Sequence, residues 1–234
     1  MAAAHPLQRL GSPSRSLSLV LHAAGITSFL LSFRFLNSWE TPLSNSYGGN
    51  YQFLTNIGLA LSLATFGVGL AADLTLSPAL FGLKNGLAVV AAPVEILITV
   101  LYWGLCAIDK SLVFPPEFQL DLLPDVGFHA APGVLLALDL LLFSPPWTIR
   151  RNAALLLSLV FALAYWAWVE VCYGRNGWYP YPIFALLSAG QRALLFSSSA
   201  VVMAASTMGL KWLYGRINGV GDPQREILAQ KKAA

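Results

Sequence analysis

Residues Gly86 to Ile108 read GLAVVAAPVEILITVLYWGLCAI, with Glu95 as the one charged side chain. Wound as an α-helix rising about 1.5 Å per residue, this stretch is about 35 Å long, enough to cross a hydrocarbon core of about 30 Å. Backbone N–H and C=O groups find no water in that core, so an apolar segment of this length is read as a transmembrane helix. Five more stretches qualify: Leu17 to Leu36, Tyr51 to Ala72, Val126 to Phe143, Ala153 to Cys172 and Leu186 to Leu213. The whole composition agrees, because 56% of the 234 residues are hydrophobic and 11% are charged, against about 25% charged in soluble domains. The expected fold is therefore all-α, a polytopic bundle of six transmembrane helices.

Between the spans lies turn chemistry: Trp39-Glu40-Thr41-Pro42, Tyr47-Gly48-Gly49-Asn50, Phe114-Pro115-Pro116-Glu117, Ser144-Pro145-Pro146-Trp147, and Gly174 to Pro182. With no internal repeat and no linker, residues 1–219 read as a single domain and residues 220–234 as a polar tail. Six crossings place Arg9, Arg15, Lys84, Arg150, Arg151, Lys211, Arg216, Arg225, Lys231 and Lys232 on one side. By the excess of lysine and arginine that side is cytoplasmic, with both termini on it. Glu40, Asp109, Glu117, Asp121 and Asp125 gather on the far side with many aromatics, an interfacial belt or a lid over a pocket. Arg9 and Arg15 before the first apolar run imitate a secretory signal, but no small-residue cleavage pattern follows, so the first helix is expected to be retained.

The net charge is +3, and the basic residues are spread over the connections and the carboxyl-terminal segment, which argues against a nucleic-acid partner. Membrane lipids are the expected surroundings, in the endoplasmic reticulum, another endomembrane or the plasma membrane. Cys106 and Cys172 lie in apolar runs and are expected as free thiols. Three histidines are too few for a metal cluster, and no cofactor-binding motif is present. A carrier would be expected to show a repeated half or broken helices, and neither is visible.

Ionisable side chains inside a membrane are costly and mark functional candidates: His22, Glu95, His129, Asp139, Glu170 and Arg192. His129 stands about one turn into the fourth span. Thr55 stands at a matching place in the second, which runs in the same direction. A hydroxyl and an imidazole at one depth can form a nucleophile and its general base, although threonines in membrane helices usually bond a carbonyl one turn back. Asn56 is a weak candidate oxyanion donor, Glu95 and Arg192 are weak substrate contacts, Glu170 and Arg192 are placed to pair, and His22 is read as a hydrogen bonder between helices. The residue that orients His129 is not evident.

Tyr47-Gly48-Gly49 with Phe53-Leu54-Thr55, Pro93-Val94, Asp109-Lys110 with Leu112-Val113-Phe114-Pro115, Gly127-Phe128-His129, and Gly177-Trp178-Tyr179-Pro180 occur in this order. Together they resemble the androgen-induced-gene family of integral-membrane threonine hydrolases, from about the first helix to the sixth. The resemblance implies a six-helix membrane hydrolase that cleaves fatty acid esters of hydroxy fatty acids, with Thr55 as nucleophile, His129 as base and no cofactor. The alternatives are a non-catalytic lipid-binding or scaffold protein, in which Thr55 and His129 only join helices, and a small carrier.

Overall fold

The computed structural model describes residues 11–38, 44–114 and 120–218, and among them the chain is helical with no strand. The helices are α1 (Leu17–Ser38), α2 (Leu54–Thr75), α3 (Pro78–Ile108), α4 (Leu122–His129), α5 (Ala131–Phe143), α6 (Arg151–Asn176), α7 (Pro182–Leu186) and α8 (Ala189–Asn218). Short 3-10 turns at Gly49–Gln52 and Lys110–Leu112 precede α2 and follow α3. Helices α1, α2, α3, α6 and α8 are each long and apolar enough to span a bilayer, and α4 with α5 makes a sixth, bent span. The proposed polar tail, residues 220–234, and Arg9 lie outside the described residues.

Helices α2 and α3 form the centre. Leu76, in the left-handed region at φ 56°, ends α2, and Ser77 caps α3 by accepting a hydrogen bond from the Leu80 amide, with Pro78 in the first turn. This tight hairpin starts α3 at Pro78, well before the Gly86 expected from hydropathy, and it corrects the placement of Lys84. That lysine was counted among the cytoplasmic connections, but it is inside α3 and fully buried. Helices α1 and α5 pack on one side of the hairpin around Phe29, Phe66, Leu136 and Leu140. Helices α6 and α8 pack on the other around Val94, Ile98, Tyr165 and Phe196. Leu155, Leu156, Val160 and Leu163 of α6 face outward at 43 to 62% exposure, as a lipid-facing surface requires.

The fourth span was expected as one helix from Val126 to Phe143; it is two, bent by 44° at Ala130. Pro132 is the cause, because it has no N–H to donate to the Phe128 carbonyl and its ring crowds that turn. The break leaves His129 as the last residue of α4.

Candidate active site

Threonine 55 differs from its counterparts. Thr27, Thr65, Thr75, Thr99 and Thr207 each donate to the carbonyl four residues back, at 2.7 to 3.1 Å. Among the described helices Thr55 is the one threonine without that bond. It is the second residue of α2, so no turn of that helix precedes it. The carbonyls that do precede it are taken: Gln52 O accepts from Tyr165 Oη at 2.9 Å and Tyr51 O from Trp168 Nε1 at 2.9 Å. The Tyr47-Gly48-Gly49 motif sets this entry. Gly48 sits at φ 82°, and a Cβ there would lie 2.8 Å from Cys172 Sγ. The Asn176 amide then ties Tyr47 O and Gln52 Oε1 to α6, at 3.0 and 2.9 Å.

His129 is held from two directions. Its Nδ1 lies 2.8 Å from Asp125 Oδ1 and 3.1 Å from the Asp125 carbonyl, both acceptors, so Nδ1 carries the proton in the neutral ring. Among the described residues its Nε2 has no hydrogen-bond partner and presents a lone pair. Flat against the imidazole lies the Tyr102 ring, with centroids 3.4 Å apart and planes within 5°. The Tyr102 hydroxyl is buried beside the Asp125 carboxylate. Asp125 was read from sequence only as one acid among several on the far side; its spacing of four before His129, one helical turn, was the available signal.

Thr55 and Tyr102 share the wall of one pocket, which encloses about 840 Å3 of space between atoms, including its open side. Thr55 is not hydrogen-bonded to His129; Tyr102, between pocket and imidazole, is what links their surroundings. Their depth is set by glycine contacts on a single turn of α3. A Cβ at Gly58 would lie 2.7 Å from Glu95 Oε1, and one at Gly133 would lie 3.4 Å from Thr99 Oγ1. Thr55 is one turn before Gly58, and His129 one turn before Gly133. The pocket wall is otherwise mostly aliphatic and aromatic, from α3, α6, α7 and α8. An acyl chain fits such a lining.

The other candidates stand apart from the pocket wall. Asn56 donates its amide to the Asn50 carbonyl at 2.8 Å, and this satisfies the entry turn. Glu95 accepts from Ser62 Oγ at 3.0 Å through Oε1, while its buried Oε2 has no partner. Arg192 pairs with Glu170 at 3.1 Å, donates to the Leu187 carbonyl at 2.6 Å and lies over the Tyr179 ring. His22 lies between Asp73 Oδ2 at 2.8 Å and Asp139 Oδ1 at 3.1 Å, and Lys84 Nζ reaches Asp139 at 2.9 Å and Ser144 Oγ at 2.8 Å. Among the described residues no three His, Cys, Asp or Glu side chains are grouped to hold a metal, and Cys106 and Cys172 are free thiols.

Fold and site thus define a multi-pass helical membrane protein with a hydroxyl and an aspartate-held imidazole beside an apolar pocket. Residues 17–215 match the FAR-17a/AIG1-like protein family, and the chain belongs to it. It is 32% identical to a UPF0641 membrane protein of Schizosaccharomyces pombe, over 92% of this chain and 97% of that one. It is 24% identical to the androgen-induced gene 1 protein of Homo sapiens, over 82% of this chain and 87% of the human one. No solved structure matches with significance.

Proposed function

We propose that the protein is a membrane-embedded lipid-ester hydrolase with Thr55 as nucleophile, His129 as general base and Asp125 as the group that orients His129. The observation that carries this reading is that Thr55 lacks the i−4 bond made by the other helical threonines, on the wall of an apolar pocket. Entry of substrate closes the gap between Thr55 and His129, since catalytic hydrogen bonds often tighten only in the occupied site. His129 Nε2 takes the Thr55 proton as Oγ1 bonds to the ester carbonyl carbon. The ester C–O bond then breaks, and the leaving alkoxide takes the proton from Nε2. Water gives a proton to Nε2 and attacks the acyl-threonine; the acid departs and Thr55 regains its proton.

A site about one turn inside the bilayer suits an ester in the middle of a long lipid, with acyl chain in the pocket and polar end at the interface. Fatty acid esters of hydroxy fatty acids have that form. Purified protein is expected to hydrolyse such an ester and to carry a fluorophosphonate adduct on Thr55, located by mass spectrometry. Absence of both leaves a non-catalytic lipid-binding protein. The lysine and arginine distribution supports a site on the non-cytoplasmic face, so tags after Ala234 and within residues 121–125 should report opposite sides.

A further inference from the structure

The hydrolase reading needs a donor for the carbonyl oxygen, which gains negative charge when Thr55 attacks. Asn56, the sequence candidate, is committed to the Asn50 carbonyl. Five side chains on the pocket wall carry hydroxyls: Thr55, Tyr102, Tyr165, Tyr181 and Ser199. Ser199 donates to Leu195 O at 2.8 Å and Tyr165 to Gln52 O at 2.9 Å, so their hydrogens are used. The Tyr102 hydroxyl is buried beside Asp125, on the imidazole side. Tyr181 is the one whose hydroxyl meets the nucleophile itself.

Its ring is fixed edge-on between Phe53 and Phe184, with centroids 5.6 Å away in each case. Phe53 immediately precedes α2, so the same contact aligns Tyr181 with the first turn that carries Thr55. The Tyr181 oxygen meets the Thr55 side chain, the Thr55 and Leu54 amides and the Tyr165 hydroxyl. Amide N–H groups only donate, so they occupy oxygen lone pairs and direct the phenolic hydrogen to the Thr55 or Tyr165 hydroxyl oxygen, where a substrate carbonyl oxygen beside the nucleophile can take it over. Burial pushes the Tyr181 phenol up, against these hydrogen bonds, so the hydrogen stays in place at neutral pH.

We infer that Tyr181 is a further catalytic residue, whose O–H donates to the ester carbonyl oxygen and stabilises the tetrahedral oxyanion formed by Thr55. This rests on the hydrolase reading above. As the Oγ1–C bond forms, the C=O π pair moves onto oxygen and the Tyr181 hydrogen bond strengthens without proton transfer. On collapse the C=O bond re-forms, the ester C–O bond breaks and His129 protonates the alcohol.

The test compares wild type with Tyr181→Phe, which keeps the ring and its packing, using full-length protein in detergent with melting temperature as the fold control. The expected result is a kcat lower by about 100-fold, the usual cost of one lost oxyanion donor, with KM within about threefold. Affinity for a long-chain trifluoromethyl ketone, which forms a tetrahedral adduct, should fall in parallel with kcat, while affinity for the ether isostere of the substrate should hold. A Tyr181→Phe enzyme that melts like wild type and keeps kcat within about threefold overturns the inference and leaves the hydrolase reading standing. Equal loss of affinity for ketone and ether also overturns it, since Tyr181 would then only shape the pocket. A wild-type protein that hydrolyses no ester overturns both.

Discussion

Two histidine and aspartate clusters occupy opposite ends of this bundle, and they differ in what is left unbonded. At the α2–α3 hairpin end, His22 meets a carboxylate at each ring nitrogen, Lys84 and Ser144 hold Asp139, and Ser18 donates to Asp73 at 2.8 Å. Gly69 lies so close that a Cβ there would come 2.6 Å from His22 Nε2, so no room remains for a ligand. At the other end His129 has a carboxylate on Nδ1 only, a tyrosine face on its plane and a pocket beyond that tyrosine. A closed cluster joins helices; one with an open nitrogen beside a cavity can move a proton. The same pair of residue types therefore supports stability in one place and, on the hydrolase proposal, chemistry in the other.

The largest expected effect that could break this contrast is at the open end. Thr55→Ala and His129→Ala should each lower ester turnover by at least about 1000-fold, and the double variant should cost little more than either, because nucleophile and base act as a unit. Turnover per folded molecule near wild type in either variant would move this cluster into the structural class. Next comes Asp125→Asn, which preserves size while removing the charge that holds Nδ1–H. Turnover should fall by about 100-fold or more with KM and melting temperature little changed, a split seen by steady-state kinetics beside a thermal melt.

The closed end should answer in the opposite currency. Lys84→Met leaves Asp139 without its cation in a fully buried site, where breaking one partner costs about 3–5 kcal/mol. Denaturation in mixed micelles should show that loss, while kcat of the folded fraction stays near wild type; a selective loss of kcat would instead join the two ends functionally. The smallest effect is expected between them. Glu95→Gln retains an oxygen to accept from Ser62, so stability should change by about 1 kcal/mol or less and kcat by less than about threefold. A large loss of activity there would mean that the working site extends one turn deeper than the pocket wall.

Much of the architecture is legible in the chain because hydrocarbon imposes a single local rule, a run of about 20 apolar residues per crossing. The Gly86 to Ile108 run, the hydrophobic excess and the paucity of charge all point to a helical membrane bundle without any knowledge of packing. That rule fails where a polar residue is satisfied by distant partners. Hydropathy starts the third span only at Gly86, after Lys84, yet Asp139 and Ser144 lie 55 and 60 positions away and make burial of the ammonium tolerable. Pro132 was visible, but the 44° bend it produces decides which residue terminates α4.

The site divides in the same way. Thr55 and His129 could be named from motif order and common depth, since both follow from counting residues along two helices that run in one direction. Asp125 is one turn from His129, but spacing alone could not separate a partner from an interfacial acid. Tyr181 was an aromatic among many at that surface. Its approach to Thr55 depends on how α7 and the preceding loop fold against the start of α2. The sequence by itself determined that this protein is helical and crosses the membrane repeatedly, and it put Thr55 and His129 at one depth, because hydropathy and motif spacing are properties read along the chain. Only the tertiary structure decided which histidine is closed and which is open, and which hydroxyl meets Thr55, because these are properties of what other parts of the chain bring into contact.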